Sequence, residues 1–212
     1  TITLILNTLR HIKKIMVDDS RYNDVSHVFG HNLNKKKVGI VGYGRIAQHV
    51  EAILSGFGVN ILVYSHHKVI PKYATFVDFQ TLVSQSDIIT LHVPAVRETE
   101  HMINHDVFLH MKQDAILINT ARGLLVDEKA LIDALKTHQI LGAGLDTVQN
   151  EPLSVDSDLR HQDGILLTPH IGANTVEAEY LTGKAVMENV IDFFENRQPS
   201  NAVNQLCDAV SY

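Results

Sequence analysis

The sequence predicts a Rossmann-type doubly wound α/β fold, a parallel sheet with helices on both faces, and three observations lead there. Short apolar runs alternate with stretches of helical spacing along nearly all of the 212 residues. That is the pattern of strands buried on both faces and joined by crossover helices. The run "KVGIVGYGRIA" passes from strand to helix through glycines, and several other strand-like runs end on polar residues. In such a sheet the carboxyl ends of the strands are where ligands gather.

Residues 1–17 place Ile2, Ile5, Leu6, Leu9, Ile12 and Met16 at helical spacing with Arg10, Lys13 and Lys14 opposite, so one amphipathic helix is expected whose apolar face needs a partner. Residues 18–34 are polar and aperiodic and read as a loop or a loosely held helix. Val38, Ile40 and Val41 form the first strand. The helix from Arg45 carries Ile46, Val50, Ile53 and Leu54 on one side and is ended by Gly56 and Gly58. A second strand follows at 59–64, a third at 75–77 and a helix at 78–84. "DIITLHVP" is a buried strand stopped by Pro94. A helix at 105–111, the strand "AILINT", a helix at 127–137, the strands "ILGAGLD" and "GILLTPH", and a long helix at 176–196 complete the series. The organisation expected is a helix and linker at 1–34, the sheet domain at 35–175, and a closing helix and tail at 176–212.

Composition narrows the function. A net charge of -6 gives no electrostatic footprint for nucleic acid, and Lys35, Lys36 and Lys37 read as a solvated strand entry. The lone Cys207 excludes an internal disulfide and a cysteine-based zinc site, so a reducing cytoplasm is expected. No apolar stretch approaches the roughly 18 residues of a membrane span. The 13 histidines show no metal-ligand spacing coupled to carboxylates, so no metal is expected, and His66, His67, His101 and His105 read as surface residues.

Chemistry is expected around the glycines. In the G-x-G-x-x-A pattern Gly42 makes the turn, Gly44 lets the backbone approach a pyrophosphate, and Ala47 lets the helix pack on its strand. The amides of Arg45 and Ile46, at the positive end of the helix dipole, then face the diphosphate. Beyond this turn, His92, Val93 and Pro94 follow one strand, Thr120, Ala121 and Arg122 another, Asp146 the next and His170 the last. Polar groups at several strand ends of one sheet imply one cleft.

"GYGRIA", "LHVP" followed by Thr99, "INTARGLLVDEKAL", "GAGLDTVQNEP" and "LTPHIGA" resemble, in order and approximate spacing, the coenzyme domain of the D-isomer-specific 2-hydroxyacid dehydrogenases. The resemblance extends from about residue 1 to 204. It implies a nicotinamide coenzyme, a 2-hydroxy or 2-keto acid substrate, and homodimerisation through the coenzyme domain. It adds Thr99 and Gly172 to the coenzyme site and makes Arg122, Glu151 and His170 the catalytic set.

The residue types suit those roles. An imidazole can take the hydroxyl proton as hydride leaves a 2-hydroxy acid, and a neighbouring carboxylate stabilises its protonated form and fixes its ring. A planar guanidinium can clamp the substrate carboxylate and polarise its carbonyl. Glu151 also distinguishes the chain from the otherwise similar formate dehydrogenase branch, where a Gln stands in that place.

Two departures from the family accompany this. The substrate domain, assembled mostly from sequence preceding the coenzyme domain, is absent, so residues 1–17 and 176–196 resemble the interdomain helices and the chain reads as a fragment, with natural truncation as the alternative. NAD users of this fold carry an acidic residue about 20 residues past the glycines. Ser65 stands there, followed by His66, His67 and Lys68, so NAD and NADP both remain open. Other function classes are also open: a dinucleotide-sensing module, as in corepressors that resemble this family, and an inactive remnant.

Overall fold

The computed structural model describes residues 1–17, 29–195, 197–199 and 201–202. It divides into two compact units, Thr1–His170 and Ile171–Tyr212. The first contains a seven-stranded, all-parallel sheet in the order β3-β2-β1-β4-β5-β6-β7. The strands are β1 Lys37–Val41, β2 Asn60–Tyr64, β3 Ala74–Phe76, β4 Ile88–Leu91, β5 Ile116–Asn119, β6 Gly142–Leu145 and β7 Ile165–Leu167. The order reverses between β1 and β4, which opens a crevice at the carboxyl ends of those two strands.

Alternation along each strand makes two cores. Val38 and Ile40 of β1, Ile88 of β4, and Ile116 and Ile118 of β5 face one side, where they meet Ala47, Val50 and Leu54. Val41, Ile89, Leu91 and Leu117 face the other, where they meet Leu82, Phe108, Leu131 and Leu135. The helices that supply these partners are α3 Arg45–Ser55, α4 Phe79–Gln85, α5 His105–His110 and α6 Glu128–Lys136. Asp78, Asn104 and Asp127 cap the last three by accepting hydrogen bonds from first-turn amides. A 3-10 turn at Gly123–Leu125 and a short helix α7, Asp158–His161, were not expected from the periodicity.

The amino-terminal helix differs from expectation. It is two helices, α1 Ile2–Leu9 and α2 Ile12–Val17, because His11 adopts a left-handed conformation with φ 51°. The amides of Arg10 and His11 close α1 by donating to Leu6 and Thr8 carbonyls. Neither Gly nor Pro marks this break. Leu4, Ile5 and Leu9 are buried against the sheet, so the apolar face of α1 is covered within its own unit, whereas Met16 of α2 is exposed.

The buried face of α3 is also rotated from expectation. Ala47, Val50, Glu51 and Leu54 are buried, while Ile46 and Ile53 are 68% and 53% exposed. A buried carboxylate and an exposed isoleucine at a helix entrance contradict a simple apolar stripe, and both have local causes given below.

In the second unit the described helix is α8, Val176–Phe194, whose N-cap Thr175 accepts from the Ala178 amide at 3.1 Å. The amino part of the 18–34 loop, the residues of the tail from 203 onward and Cys207 lie outside the described residues. Among those described, no helix is long and apolar enough to cross a membrane, and no group of three or more His, Cys, Asp or Glu could hold a metal ion.

Candidate active site

The site is built from the turn between β1 and α3. Gly42 has φ 92°, and its amide donates to the Tyr64 carbonyl at 2.7 Å. A Cβ there would lie 2.5 Å from the His92 carbonyl oxygen, so only glycine lets the ends of β1 and β4 approach this closely. Gly44 is different. Its φ of -76° suits any residue, and a Cβ there would meet nothing within 4 Å. No side chain caps α3. The turn therefore presents first-turn amides to open space, the arrangement that accepts an anion.

At the end of β2, Ser65 is half-buried and His66, His67 and Lys68 are exposed, with the two imidazoles in edge-to-face contact at 4.9 Å. No carboxylate stands at this end of the strand. At the end of β4, the His92 amide donates to the Val41 carbonyl at 2.7 Å, and its ring lies 3.0 Å from the Thr90 hydroxyl. Burial pushes the His92 imidazole down to about 4, so it is neutral at physiological pH. Half-buried Val93 and exposed Pro94 follow. Thr99 closes the loop beyond them: its hydroxyl donates to the Pro94 carbonyl at 2.7 Å and accepts from the Val96 amide at 2.9 Å.

The ends of β5 and β6 are stitched together by residues that the sequence did not point to. Buried Asn119 donates to the Arg122 carbonyl at 2.8 Å and accepts from the Ala121 amide at 3.0 Å, which shapes the loop holding Thr120, Ala121 and Arg122. A Cβ on Gly123 would lie 1.9 Å from the Val148 carbonyl carbon, so the Arg122 loop and the loop after Asp146 are in direct backbone contact. Gln149 reinforces this. Its amide donates to Glu128 at 2.6 Å, and its side chain donates to the Val126 carbonyl at 2.7 Å and lies 3.0 Å from the His101 ring. His101, expected to be a surface residue, is thus half-buried in this seam. Arg122 itself is exposed, with Nη1 donating to the Ala121 carbonyl at 2.7 Å.

Asp146 is buried and accepts from the Thr168 hydroxyl at 2.5 Å, tying the end of β6 to the segment after β7. Two residues on, His170 has φ 54°, an uncommon conformation for a non-glycine residue. Its amide donates to the Thr168 carbonyl, and its Nδ1 lies 2.7 Å from Glu151 Oε2. The other Glu151 oxygen accepts from the Val148 amide at 3.2 Å. The hydrogen bond with His170 is the largest influence holding the Glu151 carboxyl below its usual range. Both side chains remain partly open to solvent, at 50% and 38%.

The parallel sheet thus brings the expected residues from Gly42 to His170 to its carboxyl edge. Gly172 belongs to the second unit, in the turn that precedes α8. For a dinucleotide, Gly44 and the amides of Arg45 and Ile46 could hold the diphosphate, since the space a Cβ would fill there is open. Exposed Ile46 stands at this entrance, which accounts for its departure from the buried stripe.

Known proteins supply an independent comparison. Residues 2–172 match the family described as D-isomer specific 2-hydroxyacid dehydrogenase, NAD binding domain. A glyoxylate reductase from Thermococcus litoralis is 44% identical over 181 residues, 83% of this chain and 54% of that protein. A probable 2-ketogluconate reductase from Dictyostelium discoideum is 41% identical over the same shares. The chain therefore spans about half the length of these relatives. Among solved structures, D-lactate dehydrogenase with NAD+ from Lactobacillus jensenii superposes with a TM-score of 0.87 at 30% identity, over 96% of this chain and 67% of that one. An acyclic imino acid reductase in complex with NADPH and D-Arg gives 0.83 at 30% identity, over 96% and 66%.

Proposed function

This chain belongs to the D-isomer-specific 2-hydroxyacid dehydrogenase family, and we propose that it is the coenzyme half of an oxidoreductase that interconverts 2-keto acids and D-2-hydroxy acids. The observation that carries this reading is the 2.7 Å Glu151–His170 hydrogen bond at the sheet edge that also bears the open glycine turn. A dinucleotide-binding fold needs no imidazole–carboxylate pair to bind its ligand, whereas proton transfer does.

A nicotinamide coenzyme, when bound, would supply or accept the hydride. Gly44 and the α3 amides would hold its diphosphate, and the residues after β4, β5 and β6 would bind the rest of it. His170 protonates the substrate oxygen as the keto acid is reduced and removes that proton in the reverse direction. Glu151, acting on His170 Nδ1, fixes the ring and stabilises the imidazolium, leaving Nε2 to face the substrate. Arg122 binds the substrate carboxylate and polarises the carbonyl. Ser65 removes the repulsion that an acidic residue would direct at a 2′-phosphate, and the adjacent cationic side chain favours one, so NADPH is accepted as well as NADH.

The test is coenzyme oxidation with glyoxylate, pyruvate and larger 2-keto acids, in the complete polypeptide and in its His170→Ala variant. Loss of general acid–base catalysis is expected to lower the rate by about 10²–10⁴-fold. Coenzyme binding without turnover of any 2-keto acid would instead favour a sensing module.

A further inference from the structure

We infer that Glu51 and Tyr43 form a latch that positions the adenosine end of the coenzyme site, an inference that rests on reading the glycine turn as the diphosphate cradle. Glu51 sits on α3 and is 2% exposed, and the Lys72 ammonium acts on it only through space. A buried carboxylate without a direct ion-pair contact must be satisfied by hydrogen bonds. Two supply this: the Tyr43 hydroxyl donates to Oε2 at 2.5 Å, and the Tyr73 amide donates to Oε1 at 2.6 Å. The Tyr43 oxygen in turn accepts from the Lys72 amide at 3.3 Å.

These contacts join three separate pieces of chain. Tyr43 is the middle residue of the glycine turn, Glu51 projects from the helix that the turn opens, and Lys72 and Tyr73 end the connection from β2 to β3. That connection, residues 65–73, contains no helix or strand and begins at Ser65. Among the described residues, its two backbone hydrogen bonds to the rest of the molecule both run to this pair. The Gly42 amide holds the end of β2 against the turn through the Tyr64 carbonyl, and the carboxylate and phenol fix the far end of the connection that leaves from there. Burial and the hydrogen bond to Glu51 raise the Tyr43 hydroxyl, so it stays protonated and remains a donor. Glu51 makes no claim on the coenzyme itself. It is a positioning residue, and an apolar side chain would fill its place at less desolvation cost if packing alone were at stake.

That last point gives the test. Tyr43→Phe, Glu51→Gln and the double variant Tyr43→Phe/Glu51→Leu are compared with wild type by thermal denaturation and by calorimetric titration with NADH, NADPH and ADP-ribose. The single variants are expected to weaken all three ligands by a common factor of roughly 5- to 30-fold, the loss of one or two hydrogen bonds to a charged group. In the complete polypeptide this loss is carried by the coenzyme KM rather than by kcat. The double variant removes the buried carboxylate and the phenol together and leaves the Lys72 and Tyr73 amides, which belong to exposed residues, to solvent, so its melting temperature is expected to recover toward wild type while its affinity stays low. Faster hydrogen exchange at the Tyr73 amide accompanies the loss. A double variant that melts and binds like wild type overturns the latch and reduces the pair to packing, as does a Tyr43→Phe chain with unchanged affinity. A wild-type chain that binds none of the three ligands fails at the earlier step, the reading of the glycine turn, and the latch falls with it.

Discussion

Substituting Gly44 by valine separates binding from folding, because the structure assigns the two glycines of the turn different duties. Gly42 has φ 92° and no room for a Cβ, with the His92 carbonyl oxygen 2.5 Å away. Gly42→Ala is therefore expected to cost about 2 kcal/mol or more of stability, or roughly 4–8 °C in a chain of this size. Gly44 has an ordinary φ of -76° and open space beyond it. Losing glycine at an N-cap costs a few tenths of a kcal/mol to about 1, and restricting the unfolded chain returns about 0.4–1. The melting temperature of Gly44→Val is accordingly expected to stay within about 2 °C of wild type. Its side chain fills the space before the α3 amides. Two charge-assisted hydrogen bonds to a diphosphate, at about 1.5–3 kcal/mol each, are lost, so affinity should fall by roughly 10²–10⁴-fold. Titration calorimetry with NADH and NADPH, alongside thermal denaturation, reads both quantities. Unchanged affinity in Gly44→Val would refute the assignment of the cradle, and a loss of stability equal to that of Gly42→Ala would refute the distinction between the glycines.

Three further outcomes are expected. Wild type should bind NADPH at least as tightly as NADH, and Ser65→Asp should shift the preference toward NADH by about 1–3 kcal/mol; a wild-type preference for NADH of about a hundredfold in equilibrium titration would reject this. Gly123→Ala forces a Cβ against the Val148 carbonyl and separates the Arg122 and Glu151 loops, so kcat/KM in the complete polypeptide should fall by about tenfold or more and coenzyme affinity should fall with it, the overpacking costing about 1–3 kcal/mol; unchanged kinetics would argue that the contact of these loops does not shape the site. Arg122→Lys should raise the keto-acid KM and also lower kcat, since an ammonium cannot reproduce a bidentate grip. Steady-state kinetics showing only one of these changes would argue that the guanidinium does not meet both substrate groups.

The sheet was legible because strands buried on both faces read as unbroken apolar runs, and because "GYG" and the polar strand ends punctuate them. The division of residues 1–17 was not, since His11 takes a left-handed conformation without the glycine that usually announces one. The face of α3 was misjudged for a chemical reason: Glu51 is buried by two hydrogen-bond donors distant in sequence, while Ile46 stands exposed at the helix entrance. The expected site residues were those whose type carries chemistry or whose motif is local. Asn119, Gly123, Gln149 and Glu128 act by holding loops against one another across long sequence separations. Such pairings leave no periodic trace. His101 escaped for the same reason, its ring meeting Gln149 from 48 positions away.

The most direct measurement is the acid side of the pH profile of 2-keto acid reduction in the complete polypeptide and its Glu151→Gln variant. The hydrogen bond with His170 holds the Glu151 carboxyl below its usual range, so the ionised carboxylate is kept as pH falls through the ordinary carboxylate range and is lost only below it. Glu151→Gln keeps the shape and removes the charge, so kcat is expected to fall by about tenfold or more and the acid limb due to Glu151 to disappear, while coenzyme affinity is nearly unchanged. A variant with the wild-type kcat and the wild-type acid limb would contradict the proposal that the Glu151–His170 pair carries the proton transfer.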